Sequence, residues 1–284
     1  MKKIQMVIPK GRLLNNVADM LNESSIGYVS NDRVYVPHLG DPEIEAKIMK
    51  PQNIAQLIEL GSHDIGFTGL DWIEETEAQV LKLMDLKFDP VRVVAAIPEK
   101  VSEKYLRKKR IVVASEYVKI SKHYLNENNF DFILLRTFGA TEAFPPQDAD
   151  MIIDNISTGQ TLHEHKLKIF DEIMKSSTFF IANAQAMEDS WKREKIEEIK
   201  MLFTAVLNAK DRVMLEMNVS KDKLEVVVKN LPYMRAPTVA PLYNDEGYAV
   251  KVAVKRTEIA KLIPSLKRLG ATDILEYDFR KVII

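Results

Sequence analysis

The sequence predicts an α/β protein in which two α/β lobes face each other across a cleft and a smaller βαββαβ domain ends the chain. Short β-branched apolar runs alternate with segments of helical spacing from residue 3 to about residue 209, the pattern of repeated strand-helix units. Inside that run, Ile152-Ile153-Asp154-Asn155-Ile156-Ser157-Thr158-Gly159-Gln160-Thr161-Leu162 reads as a strand, a tight loop and a helix start. From about Ala209 the texture changes to half-buried alternating strands.

Length and composition set the bounds. The 284 residues exceed a typical domain of about 100 to 200 residues and can bury a sizeable core. Hydrophobic residues at 46% and charged residues at 29% describe an ordinary soluble globular protein. With 40 Lys+Arg against 41 Asp+Glu, no overall basic excess points to nucleic acid. The chain has no cysteine, which removes disulfides, thiolate zinc sites and a cysteine nucleophile. The start Met1-Lys2-Lys3-Ile4-Gln5-Met6-Val7-Ile8-Pro9-Lys10 has the look of a signal peptide, but Gln5 and Pro9 break its apolar run. Nowhere does the chain offer the ~18 apolar residues of a membrane helix, and a cytoplasmic protein is expected.

The elements follow in order. Residues 3–8 form an apolar β-branched strand that ends in Pro9-Lys10-Gly11-Arg12, and Leu13, Leu14, Val17, Met20 and Leu21 recur at helical spacing. Lys10 and Arg12 flank Gly11 at the C-terminal end of a strand, where open α/β sheets place ligands; the pair suits an anion or a solvated turn. Residues 51–61 read as a helix with proline in its first turn and a glycine stop. Residues 62–73 read as a short strand, a glycine-hydroxyl turn and another helix start, with Asp71 a candidate N-cap. Residues 91–98 and 110–114 are strands of the kind buried on both faces, joined by a charged helical connection over 99–109. A helix from Val118 to Leu125 and a strand over 132–136 follow, leading to Gly139-Ala140-Thr141-Glu142. After the central loop, residues 178–182 form a returning strand, Asn183 is a candidate N-cap, and 191–209 is a long amphipathic helix. Two lobes, each with its own parallel sheet, are expected.

The central loop carries the chemistry. Gly159 can take φ > 0 and admit an anion to the backbone, while Ser157, Thr158 and Thr161 offer hydroxyls beside the free N–H groups of a helix start. Asp154, at the strand end, can accept from ribose hydroxyls or hold Mg²⁺. Sugar plus phosphate is one reading; an Asx or Ser/Thr turn before a capped helix uses the same residues. Glu142 is a candidate for ribose or ammonium groups as well as an ordinary cap or surface residue. His163 and His165 form a His-x-His pair that reads as solvated helix residues ahead of metal ligands, since no third ligand is evident nearby.

Residues 213–219, 238–243, 248–254 and 273–279 read as strands, with helices over 222–231 and 258–269, a turn at Asn244-Asp245-Glu246-Gly247 and a stop at Gly270. The order βαββαβ is the ferredoxin-like arrangement, of a size to fold as a domain.

The stretch Asp154-Asn155-Ile156-Ser157-Thr158-Gly159-Gln160-Thr161-Leu162 resembles the signature of ATP phosphoribosyltransferase, the first enzyme of histidine biosynthesis. Residues 61–73 resemble a second block of that family, Ala236-Pro237-Thr238-Val239-Ala240-Pro241-Leu242 a third, and Gly270-Ala271-Thr272-Asp273-Ile274-Leu275 a fourth, so that the likeness to the long form spans essentially the whole chain. Two positions commonly arginine in the family are Gln160 and Lys50 here, and the approach from Glu142 through Pro145-Pro146-Gln147 is more proline-rich and one residue shorter. The resemblance implies a periplasmic-binding-protein-like catalytic core, with lobe I over 1–90 plus 179–208 and lobe II over 91–178. A regulatory ferredoxin-like domain over 209–284 completes it. It implies that Asp154, Ser157, Thr158, Gly159, Gln160, Thr161, Leu162 and Glu142 hold the phosphoribosyl group. Lys10, Gly11, Arg12, Lys50 and Asp71 would border ATP and pyrophosphate, with Mg²⁺ held mainly by substrate phosphates. Thr238 and Ala271 would bind inhibitory histidine at a subunit interface of a homo-oligomer, from dimer to hexamer. No side-chain nucleophile is needed, because the adenine N1 attacks the pentose. A non-catalytic two-lobed anion-binding protein is the alternative on the same features.

Overall fold

The computed structural model describes residues 2–29, 35–232, 234 and 236–284; Met1, where the N-terminal run begins, lies outside the described residues. The chain separates into two compact units, one of residues 1–19 and 27–196, the other of 20–26 and 197–284. In order, the first contains β1 (Ile4–Pro9), β2 (Ile44–Met49), α2 (Pro51–Glu59), β3 (Ile65–Gly69), α3 (Leu70–Thr76), β4 (Leu81–Pro98), α4 (Glu103–Leu106), β5 (Ile111–Ser115), α5 (Val118–Glu127), β6 (Phe132–Arg136), β7 (Met151–Ile156), α6 (Gln160–Glu164) and β8 (Leu167–Ala182). Helices α1 (Leu14–Glu23) and α7 (Ser190–Lys210) run through the boundaries between the units. The last boundary, between 196 and 197, thus falls inside α7, ahead of its C-terminal end. Among the described residues no helix is long and apolar enough to cross a membrane.

The first unit is built on one eight-stranded sheet in the order β2-β1-β3-β8-β4-β7-β5-β6. The expectation of a separate parallel sheet for each lobe is corrected. Strands β2, β1 and β3 are parallel, as are β7, β5 and β6, but β8 and β4 join the two sets through antiparallel pairs. Both joining strands are long, 18 residues for β4 and 16 for β8, so each crosses from one set to the other. The register of their pairing shifts around Phe88 and Val91, opposite Thr178 and Ser176, and Lys87 and Asp89 there have positive φ. Such bulges bend and twist a strand pair, which lets one ladder serve two differently oriented sheet ends.

Each end of the sheet has its own core. Val7, Ile54, Ala55, Ile58, Ile73 and Ile181 pack at the β1–β3 end. At the other end Val93, Val113, Leu125, Met151 and Ile153 fill one face, and Val94, Ala96, Ala114, Ile152 and Leu162 fill the opposite one. Consecutive residues 93–96 and 151–153 are therefore buried on both sides, which is why these strands read as unbroken apolar runs.

The second unit contains β9 (Arg212–Val219), α8 (Leu224–Lys229), β10 (Thr238–Pro241), β11 (Tyr248–Lys255), α9 (Ile259–Arg268) and β12 (Thr272–Asp278). Its sheet is antiparallel in the order β10-β11-β9-β12, the ferredoxin-like topology. Strand β9 alternates strictly, burying Val213, Leu215, Met217 and Val219 against Val250, Val252, Leu262 and Leu266.

Candidate active site

Three parallel strands end together at one edge of the β1–β3 end. Strand β1 runs into Lys10, Gly11 and Arg12, while β2, whose Met49 pairs with Pro9, runs into Lys50 at the start of α2. Strand β3 runs into α3, with Gly69 as N-cap. Parallel pairing thus sets Lys10 beside Lys50. Both are exposed, as is Arg12, and among the described residues none of the three forms an ion pair; Lys10 Nζ stands 5.4 Å over the Tyr35 ring. This is an edge where exposed cations have no carboxylate partner among the described residues.

Asp71 is not the N-cap that the sequence suggests. The N-cap is Gly69, and Asp71 sits in the first turn of α3, only 4% exposed. Its Oδ1 accepts from Ser176 Oγ at 2.6 Å and its Oδ2 from the Tyr117 hydroxyl at 2.6 Å, while its own N–H donates to Ser176 Oγ at 3.0 Å. With both oxygens engaged inside the protein, Asp71 lines neither of the cavities described below.

The central loop has the predicted form. Strand β7 carries Asp154 and Asn155, Gly159 is the N-cap of the five-residue helix α6, and its φ of 81° lies where only glycine is unstrained. Glu142, Asp154, Asn155, Ser157, Thr158, Gly159, Thr161 and Leu162 line a cavity of about 190 Å³. Glu142 therefore comes together with the loop, as expected. Gln160 does not line it: exposed, it donates to Glu164 Oε1 at 3.0 Å. His163 and His165 are exposed at the end of α6.

Asp154 is the electrostatic centre of this pocket. Burial, first, pushes its carboxyl up to about 6, and Glu116 and Glu142 add to the rise. The Asn155 N–H, donating to Oδ1 at 2.7 Å, and Thr141 oppose it. Among the described residues no three His, Cys, Asp or Glu side chains are grouped to hold a metal ion. The donor set around Asp154 fits a cation that brings most of its oxygen ligands on the substrate.

A larger cavity of about 440 Å³ opens between the two ends of the sheet. Lys50, Gln52, Trp72 and Glu75 line it from the β1–β3 end, and Glu116, Lys119, Arg136 and Phe138 from the other. Trp72 stacks on Tyr117 with ring centroids 4.7 Å apart, and the Arg136 guanidinium lies 5.1 Å over the Phe138 ring. Glu75 closes one wall by accepting the N–H groups of Val118, Lys119 and Ile120 at the start of α5, at 2.7, 2.9 and 3.1 Å. Trp72, Arg136 and Phe138, which line this cavity, and the buried Tyr117 that stacks on Trp72 are not among the residues expected from the sequence. Only the Arg-x-Phe spacing at 136–138, next to a strand end, offered a signal.

In the second unit, Thr238 lies on β10 and Ala271 just before β12, at opposite edges of the sheet. Three strand spacings of about 4.8 Å put about 14 Å between those edges, more than one amino acid can bridge.

Comparison with known proteins gives a consistent answer. A family model described as ATP phosphoribosyltransferase matches residues 50–205, and one described as HisG, C-terminal domain, matches residues 209–281. The chain is 39% identical over 288 residues to the ATP phosphoribosyltransferase of Chlorobium luteolum, covering 99% of this chain and 98% of that protein. It is 36% identical over 287 residues to that of Solibacter usitatus, covering 99% of each. The solved ATP phosphoribosyl transferase (HisG:HisZ) complex from Thermotoga maritima contains a chain that superposes with a TM-score of 0.63. At 23% identity, over 70% of this chain and 98% of that one, the likeness speaks for the fold. The chain belongs to the ATP phosphoribosyltransferase family, the pentosyltransferases of histidine biosynthesis.

Proposed function

We propose that this protein joins ATP to phosphoribosyl pyrophosphate through the two cavities of its first unit. The adenine N1 forms a bond to the pentose C1 as the bond from C1 to the pyrophosphate oxygen breaks, giving phosphoribosyl-ATP and pyrophosphate. Positive charge develops on the pentose and negative charge on the leaving group, and the nucleophile belongs to the substrate. The protein's task is alignment and charge stabilisation.

The observation that carries this reading is the 190 Å³ pocket that joins a half-buried carboxylate, Asp154, to a loop of hydroxyls and backbone N–H groups from Ser157 to Leu162. Asp154 and Glu142 accept from the ribose hydroxyls. Ser157, Thr158, Gly159 and Thr161 receive the 5′-phosphate. Lys10, Arg12 and Lys50 supply the cationic edge for pyrophosphate and triphosphate oxygens, and Gly11 between the first two lets an anion approach the backbone. The 440 Å³ cavity is within the size range of nucleotide-sized ligands, with Trp72 and Phe138 as surfaces for the base and Arg136 as a further cation. Mg²⁺, held mainly by substrate phosphates with Asp154 available as a protein ligand, would supply neutralising charge for the leaving pyrophosphate.

Lobe I is assigned to 1–90 plus 179–208, lobe II to 91–178 and the regulatory domain to 209–284, in a cytoplasmic homo-oligomer. Histidine inhibits at Thr238 and Ala271 contributed by different copies, because one copy holds them at opposite sheet edges. A purely anion-binding role would use the same loop but is not favoured by the family. The test is Asp154→Ala: pyrophosphate release should fall by orders of magnitude with an unchanged circular dichroism spectrum, and near-normal turnover would remove Asp154 from the site.

A further inference from the structure

Tyr117 is fully buried, yet both hydrogen-bonding capacities of its hydroxyl are used by different elements. The hydroxyl donates to Asp71 Oδ2 on α3 at 2.6 Å and accepts from Asn155 Nδ2 on β7 at 2.8 Å. Asp71 is anchored in turn by Ser176 Oγ of β8 at 2.6 Å. Asn155 continues the chain toward the pocket: its N–H donates to Asp154 Oδ1 at 2.7 Å, and its amide nitrogen lies 3.4 Å from the same oxygen. The backbone of Tyr117 is fixed too, because its N–H donates to Ser115 Oγ at 2.9 Å and that hydroxyl donates to the Ile153 carbonyl at 2.6 Å. One continuous hydrogen-bonded path leads from the crossing strand β8 to the carboxylate of Asp154.

We propose that Tyr117 is a positioning residue for the phosphoribosyl pocket, holding Asn155, and through it the Asp154 carboxylate, against the fixed point made by Asp71 and Ser176. The inference rests on the reading of Asp154 as the pentose ligand. Neither Tyr117 nor Asp71 lines the pocket, so both act through Asn155. Burial, and after it the neighbouring Asp71 carboxylate, hold the phenol well above its ordinary range. It therefore remains a donor to Asp71 at any working pH, and its oxygen lone pairs are left for the Asn155 amide. Gly69 makes room for this arrangement: a Cβ there would stand 2.0 Å from Asp71 Oδ1.

Tyr117→Phe keeps the ring and its stack on Trp72 while deleting the hydroxyl. Phosphoribosyl pyrophosphate with Mg²⁺ is titrated calorimetrically into the full-length wild type, Tyr117→Phe and the double variant Tyr117→Phe/Asp71→Asn, and each melting temperature is recorded. Tyr117→Phe should bind about tenfold more weakly and melt lower, having lost a bond to each neighbour. Adding Asp71→Asn removes the buried charge that has lost its Tyr117 donor while keeping Ser176 as a partner, so the melting temperature should recover while binding stays weak, because Asn155 remains untethered. Binding by Tyr117→Phe within about twofold of wild type, or binding and melting recovering together, would overturn the positioning role. A wild type that binds no phosphoribosyl pyrophosphate would overturn this inference and the functional reading together. A wild type that releases pyrophosphate while Tyr117→Phe binds normally would overturn the inference alone.

Discussion

The role proposed for Asp154 sets two opposed demands. Binding ribose hydroxyls calls for a carboxylate, whereas burial favours the neutral acid and pushes its pKa from 3.8 to about 6. An acid whose pKa is raised by folding contributes stability below its unfolded value and loses that contribution as pH rises through the folded one. The ionised carboxylate therefore costs stability at neutral pH, on the order of 3 kcal/mol for a shift of about two units. Asp154→Asn should melt higher than wild type at pH 8, with the difference vanishing below about pH 4; an equal difference at both pH values would disprove the assignment. The affinity of the wild type for phosphoribosyl pyrophosphate should fall as pH drops through about 6, where the acceptor is protonated. The strand, loop and helix start around Asp154 were legible because the signal is local, a carboxylate at a strand end followed by Ser, Thr and Gly, although an Asx or Ser/Thr turn uses the same residues. Tyr117 was not legible, since an aromatic beside an apolar run signals core first, and its partners Asp71 and Asn155 lie 46 and 38 residues away.

At the scale of elements, α3 and α5 are joined by Glu75, whose carboxylate serves three N–H groups that the helix start leaves open. A charged acceptor shared by several donors is a strong cap, and Glu75→Ala should cost about 1–2 kcal/mol, measured by urea unfolding. Gly69→Ala should lower stability by about 1–3 kcal/mol because its Cβ displaces Asp71 from buried partners, although the φ of −71° suits alanine. Strands and helices with dense apolar periodicity, such as β5, β7 and α7, were readable from the sequence. The first half of β4 and of β8 was not, since exposed charged residues such as Lys82, Lys168 and Glu172 dilute the apolar pattern there. Strand β2 escaped although Ile44, Ala46 and Ile48 alternate with Glu45 and Lys47, a period-two signal that was present. The connection over 99–109 keeps only the single turn α4, capped by Ser102, and α8 is shorter than its apolar run. Asn183 caps a turn instead, accepting from the Ala186 N–H at 3.1 Å, and Asp189 accepts from Lys192 ahead of α7.

For the whole molecule, the proposed reaction falls to the first unit and the proposed histidine control to the ferredoxin-like unit. Placing Thr238 and Ala271 on opposite edges of one sheet makes any histidine site built from both dependent on assembly. Calorimetric histidine binding should therefore disappear on dilution that dissociates the oligomer, whereas undiminished binding by monomers would refute the shared site. The ferredoxin-like strands were visible in the change of texture near Ala209, while the compact units divide between 196 and 197, inside α7. The single sheet through both lobes was not, because antiparallel joining is set by long-range pairing that no local pattern reports. Pyrophosphate release from ATP plus phosphoribosyl pyrophosphate with Mg²⁺, measured with and without histidine, decides whether the two cavities carry out the proposed transfer. Release should require both substrates and be suppressed by histidine; no release from the complete mixture would refute the transfer.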